Sequence, residues 1–219
     1  LGKYLGKEKY STNRVNEKDE IGIVRGLAWT SVGGETLQIE VNVMPGKGEV
    51  DLTGQMGDVM KESAITGLSY VRSISNKYGI SQKTFRENDF HIHIPEGAVP
   101  KDGPSAGITM ATALFSAITN TPVKADVAMT GEITLRGRVL PIGGLKEKIL
   151  AARTAGIKTV LVPEKNKKDI EEIEGEIKAG LSIYFVESME EVLPHALAGE
   201  IHKEAFIGAK KQKKRDGKE

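Results

Sequence analysis

The sequence predicts an α/β domain, shading into α+β, with a mixed sheet and flanking helices. Three observations predict it. The first half carries short apolar runs separated by glycine and proline turns, the second half alternates helix-like with strand-like segments, and no segment is repeated. A chain of 219 residues, 39% hydrophobic and 28% charged, is long enough to bury a sizeable core as one domain.

Residues 1–20 are polar and lack a clear period, which reads as a linker or the end of a preceding module. The domain proper is expected over 21–199, and a basic, disordered tail over 200–219. Ile21 to Trp29 and Thr36 to Met44 are apolar runs joined through Ser31-Val32-Gly33-Gly34-Glu35, a hairpin with a glycine turn. A Pro-Gly-Lys-Gly turn at 45–48 leads into a short strand from Glu49 to Thr53. From Gly57 to Tyr78, Met60, Ala64, Leu68, Val71, Ile74 and Tyr78 recur at three and four, the pattern of a long amphipathic helix ended by Gly79. Beyond residue 120, strands are expected over 126–130, 132–140 with a turn at 136–138, 158–163 and 181–186. Helices are expected over 145–155, 167–173 and 189–198.

Composition excludes several classes. A formal net charge of +1 argues against an electrostatic nucleic-acid binder, although Lys210-Lys211-Gln212-Lys213-Lys214-Arg215 concentrates positive charge in the tail. The lack of cysteine rules out disulfides, thiolate-ligated zinc and a thiol nucleophile, and suits a reducing cytoplasm. No apolar run approaches the ~20 residues of a membrane span, and no signal peptide is visible. The start at Leu1 suggests a piece of a longer protein.

The chemistry gathers around residues 89–107. Phe90, Ile92 and Ile94 alternate with His91 and His93, so this run is a strand, and Pro95 stops it. Gly103-Pro104-Ser105-Ala106-Gly107 then opens a helix extending to about Thr119. Proline suits a first helical turn because its missing N–H would have had no partner there. Ser105 thus stands where unpaired N–H groups and the positive end of a helix dipole would stabilise an oxyanion. It is either a helix cap or a nucleophile, and the short Gly-x-Ser-x-Gly pattern does not separate the two.

Lys148 narrows the choice. With Leu145 set at 0° and about 100° per residue, Ile149 lies near 40°, Ala152 near 340° and Lys148 near 300°, inside the apolar stripe. Lys146, at about 100°, lies outside it. A lysine among alanines can be buried, lose its proton and act as a general base, or it can snorkel to water.

Pro100 to Gly107, Met129-Thr130-Gly131-Glu132-Ile133-Thr134-Leu135 and Leu140-Pro141-Ile142-Gly143-Gly144-Leu145-Lys146-Glu147-Lys148 together resemble, in order and spacing, the three motifs of the proteolytic domain of Lon proteases. The likeness covers roughly residues 21–199. It implies a fold resembling ribosomal protein S5 domain 2 and a Ser-Lys dyad, with Ser105 as nucleophile, Lys148 as base and Thr130 orienting the lysine. The oxyanion would be received by backbone N–H groups at Ser105 and Ala106. Glu40 and Asp102 match positions near the site where they could pair with His91, His93 or Lys101, or they could be surface carboxylates. The family further implies unfolded or damaged proteins and peptides as substrates, six-membered rings that are weak for this domain alone, and an AAA+ ATPase module. ATP and magnesium belong to that module. No Gly-x-x-x-x-Gly-Lys-[Ser/Thr] loop occurs in this sequence, so no cofactor is expected here.

Other residues carry less. His91 and His93 share a strand face but no third ligand stands at a metal-site spacing, so a hydrogen-bonded layer beneath the nucleophile loop is expected instead. Trp29 is expected in the core, and His195 and His202 receive no role. Two other classes compete: a phosphate-binding module of the GHMP-kinase kind, which would leave Lys148 unexplained, and a Ser-His-Asp esterase, which would need His195 or His202.

Overall fold

The computed structural model describes residues 16–30, 33–95 and 101–199. The expectations for residues 1–15, for the basic tail and for His202 lie outside the described residues. Residues 16–20, expected to be a linker or the end of a preceding module, contact the domain: the Glu20 and Val123 main chains pair, and Asp19 Oδ1 accepts the Ala125 N–H at 2.8 Å.

The strands are β1 (Ile23–Thr30), β2 (Gly33–Pro45), β3 (Val50–Thr53), β4 (Asn88–His93), β5 (Val127–Met129), β6 (Glu132–Ile133), β7 (Val139–Leu140), β8 (Thr159–Pro163) and β9 (Ser182–Val186). Seven of them form one mixed sheet in the order β3-β4-β2-β1-β5-β8-β9, while β6 and β7 make a separate antiparallel ribbon. Pairing is antiparallel for β1 with β2 and β2 with β4, and parallel for the other neighbours. The helices are α1 (Asp58–Ser73), α2 (Gly107–Thr119), α3 (Leu145–Thr154), α4 (Lys167–Glu172), the single turn α5 (Gly175–Lys178) and α6 (Met189–Ala196). Among the described residues no helix is long and apolar enough to cross a membrane.

Strand alternation divides the interior in two. Val24, Leu37, Ile39, Phe90, Ile92, Val127, Met129 and Leu161 join the core built around α1, α2 and α6. Leu27, Ala128, Val160 and Val162 face the other way, against Leu145, Ile149 and Ala152 of α3 and Ile170 of α4. The helix that follows Ser105 and the helix that carries Lys148 therefore lie on opposite faces of the sheet. All 13 residues of α2 are buried. Its hydroxyls are satisfied internally: Thr112 and Thr119 donate to the carbonyls four residues back, and Ser116 Oγ accepts the Gly22 N–H while donating to Thr121 O.

Two expectations change. Gly33 and Gly34 belong to β2, paired with Thr30 and Trp29, rather than to a turn; Ser31 and Val32 lie outside the described residues. Gly34 is required for packing, since a Cβ there would stand 2.0 Å from Glu147 O of α3. The long helix over 57–78 is broken: α1 ends at Ser73, Ile74 leaves helical geometry at φ −94° and ψ 0°, and a 3₁₀ turn covers Ser75–Tyr78 before Gly79 at φ 73°.

Candidate active site

A cleft of about 450 Å³ opens where β1 runs past β5, and both Ser105 and Lys148 line it. The chain reaches Ser105 through Gly103 at φ 124°, a conformation that favours glycine, and a 3₁₀ turn over Pro104–Ala106 that passes directly into α2. Ser105 is half-buried. Its carbonyl accepts the Gly131 N–H at 2.8 Å, and Gly131 O accepts the Ile108 N–H at 3.1 Å, so the segment between β5 and β6 clamps the start of α2. A Cβ on Gly107 would meet Ile133 N at 2.8 Å, which shows how closely the two segments approach.

That same segment carries Thr130, completely buried. Lys148 comes from the other face of the sheet and is only 1% exposed. Its Nζ donates to Thr130 Oγ1 at 3.1 Å, and Thr130 Oγ1 donates to Ser105 O at a long 3.4 Å. The threonine hydroxyl thus links the lysine to the backbone of the serine. Desolvation disfavours the ammonium and brings the Lys148 pKa down to about 8. Among the described residues no hydrogen bond joins Ser105 Oγ to Lys148 Nζ. Lys146, two residues earlier in the same helix, is exposed and pairs with Glu174 at 2.8 Å.

Residues 1–199 match the family model of the Lon protease (S16) C-terminal proteolytic domain. The chain belongs to this family. It is 69% identical over 194 residues to a Lon protease of Lachnoclostridium phytofermentans, covering 89% of this chain and 24% of that one. A Lon protease of Brevibacillus choshinensis is 58% identical over 88% of this chain and 25% of its own length. One of Chloroflexus aggregans is 59% identical over 90% of this chain and 24% of its own. The chain thus spans about a quarter of the length of these curated relatives.

Around the cleft of this Lon domain the remaining residues separate. Asp102 lines it, with its carboxylate turned to the main chain: Oδ1 accepts N–H groups from Met60 at 2.9 Å and Gly103 at 2.8 Å, which supplies α1 with the N-terminal cap that Gly57 cannot provide. His91 Nε2 and His93 Nδ1 both meet Thr53 Oγ1, at 2.8 and 2.7 Å. They project from the β4 face opposite Phe90 and Ile92, and no histidine borders the cleft among the described residues. Glu40, paired with His93 in register, accepts a hydrogen bond from Gln38 Nε2 at 2.6 Å. His195 packs its ring on Tyr184 with centroids 4.3 Å apart.

Trp29 corrects the expectation of a core residue. It is 54% exposed at the end of β1, borders the cleft and lies so close to Gly144 that a Cβ there would fall 2.2 Å from the indole. Pro141, Ile142 and Gly143 form another part of the wall. The sequence signal for both was the Gly143-Gly144 pair, of which Gly144 at φ 66° sits against the indole.

Proposed function

We propose that this domain is a serine endopeptidase acting through a Ser105–Lys148 dyad. One observation carries the reading: a lysine amine, buried and prone to lose its proton, reaches the serine's own segment through Thr130 inside one cleft. An extended peptide would lie along Leu27 to Trp29, where β1 continues beyond its last pairing with β5 at Gly26.

Neutral Lys148 turns from Thr130 to Ser105 Oγ and takes its proton, a contact of the kind that tightens only when substrate is bound. Oγ bonds to the peptide carbonyl carbon and the carbonyl π pair moves to oxygen, where backbone N–H groups at Ser105 and Ala106 receive it. Collapse breaks the C–N bond, and the Lys148 ammonium returns a proton to the departing amine. Water, deprotonated by the same lysine, then attacks the acyl carbon, the C–Oγ bond breaks and the ammonium returns its proton to Ser105 Oγ, which restores the neutral lysine. His91, His93 and Glu40 stay outside these steps, and Asp102 ties the serine loop to the first turn of α1.

In the full-length protein this module would serve an ATP-dependent protease of the cytoplasm that removes unfolded or damaged proteins, with ATP and magnesium held elsewhere. Self-association into six-membered rings would be weak for the domain alone, with association increasing with concentration in sedimentation. The central test is labelling by a fluorophosphonate and cleavage of a fluorogenic peptide. Label on Ser105, with both activities lost in Ser105→Ala and Lys148→Ala and kept in Lys146→Ala, is the expected result. Full cleavage by a folded Lys148→Ala variant would defeat the dyad, and dependence on His195 or His202 would favour an esterase mechanism.

A further inference from the structure

Asn166 closes the 3₁₀ turn after β8, far in sequence from every residue discussed for the reaction, and is 3% exposed. Its amide is occupied on both sides. Oδ1 accepts the Ile142 N–H at 3.0 Å, Nδ2 donates to Ile142 O at 2.9 Å, and Nδ2 also donates to the carboxylate of Asp169. The side chain therefore pairs with Ile142 as a neighbouring strand would, and Asp169 fixes which way the amide is turned.

Its partner lies in the cleft wall. Pro141, Ile142 and Gly143 border the cavity shared by Ser105 and Lys148, and no backbone–backbone hydrogen bond holds these three residues among the described residues. Pro141 has no N–H to give, and Gly143 has open space where a side chain would be. One buried amide thus holds the main chain of this wall. Lys148 is secured separately, by Thr130 and by the packing of α3 against Gly34.

We infer that Asn166 is a positioning residue for the peptide: through Ile142 it fixes the wall against which substrate is bound, and it takes no part in proton transfer. The assignment rests on the peptidase reading of the cleft. Loss of the clamp leaves a flexible wall that must be ordered at each binding event, which weakens substrate binding rather than chemistry.

The test compares wild type, Ser105→Ala, Asn166→Ala and Asp169→Ala with a fluorogenic peptide and a small fluorophosphonate. Asn166→Ala is expected to raise KM about tenfold, the scale of one or two lost buried hydrogen bonds. Its kcat should stay within about threefold, as for loss of binding alone, with an unchanged pH midpoint and labelling rate. Asp169→Ala, at an exposed position, should raise KM in the same direction by about threefold, since only the orientation of the amide is loosened. An unchanged KM in folded Asn166→Ala, or a kcat and labelling rate that fall while KM holds, overturns the assignment. If Asn166→Ala does not fold, an unmoved KM in Asp169→Ala overturns it. Wild type without Ser105-dependent cleavage defeats the peptidase reading first and this assignment with it, a result distinct from an active wild type whose KM the variants leave unchanged.

Discussion

Lys148 ties the stability of the domain to the chemistry proposed for it. Its folded pKa of about 8 lies below the ordinary 10.5 because burial disfavours the ammonium. Between those values the unfolded chain binds more protons than the folded one, so stability rises with pH across that window. Below about pH 8 the folded state carries the full penalty, roughly 3 kcal/mol. Lys148→Met should therefore stabilise the domain at pH 7 by about 1–3 kcal/mol, less than the whole penalty because Thr130 loses its partner. Calorimetry at pH 7 and pH 10 checks this, with a gain in Tm that shrinks at the higher pH. For the unmodified domain, kcat/KM should rise with pH to a midpoint near 8 as the amine becomes neutral, whereas a histidine base would place it near ~6.5. At this scale Lys148 was legible because a helical period assigns a side chain to a face. Trp29 was not: an aromatic side chain reads as core, and its exposure arises from where β1 ends relative to β5.

The seating of α3 on the β1–β2 hairpin decides where that lysine goes. Gly34→Ala would drive a methyl into Glu147 O, and backbone cannot step aside as a side-chain tip can. A loss of about 2–3 kcal/mol is expected, as for overpacking, together with a larger fall in kcat than in peptide affinity because the helix is displaced. Denaturant titration beside kinetics separates the two. On the same strand face Thr36 buries Oγ1 without a hydrogen-bond partner. Thr36→Val keeps the shape and removes the unsatisfied group, and should raise stability by about 1 kcal/mol. The elements themselves were legible from period and punctuation. The role of Gly34 was not, because a glycine beside another glycine looks like a turn when the contact that requires it comes from a helix more than a hundred residues later in the chain.

At the scale of the whole molecule, the two cores have separate memberships among the described residues, and the sheet lies between them. Ser105 leads the helix of one core and Lys148 projects from the helix of the other, so their alignment depends on the spacing between layers. Neither the period of α2 nor that of α3 reveals this, since each helix reports its own apolar face and not which side of the sheet receives it. The arrangement makes the proposed dyad a strain gauge across the sandwich. Mild urea or acid that swells the interior while the backbone ladders persist should part Ser105 from Lys148, so that, on the proposed dyad, cleavage would vanish ahead of secondary structure. Following hydrolysis and far-ultraviolet circular dichroism along one urea titration tests this. Two coincident curves would mean that the layers come apart only when the whole fold does.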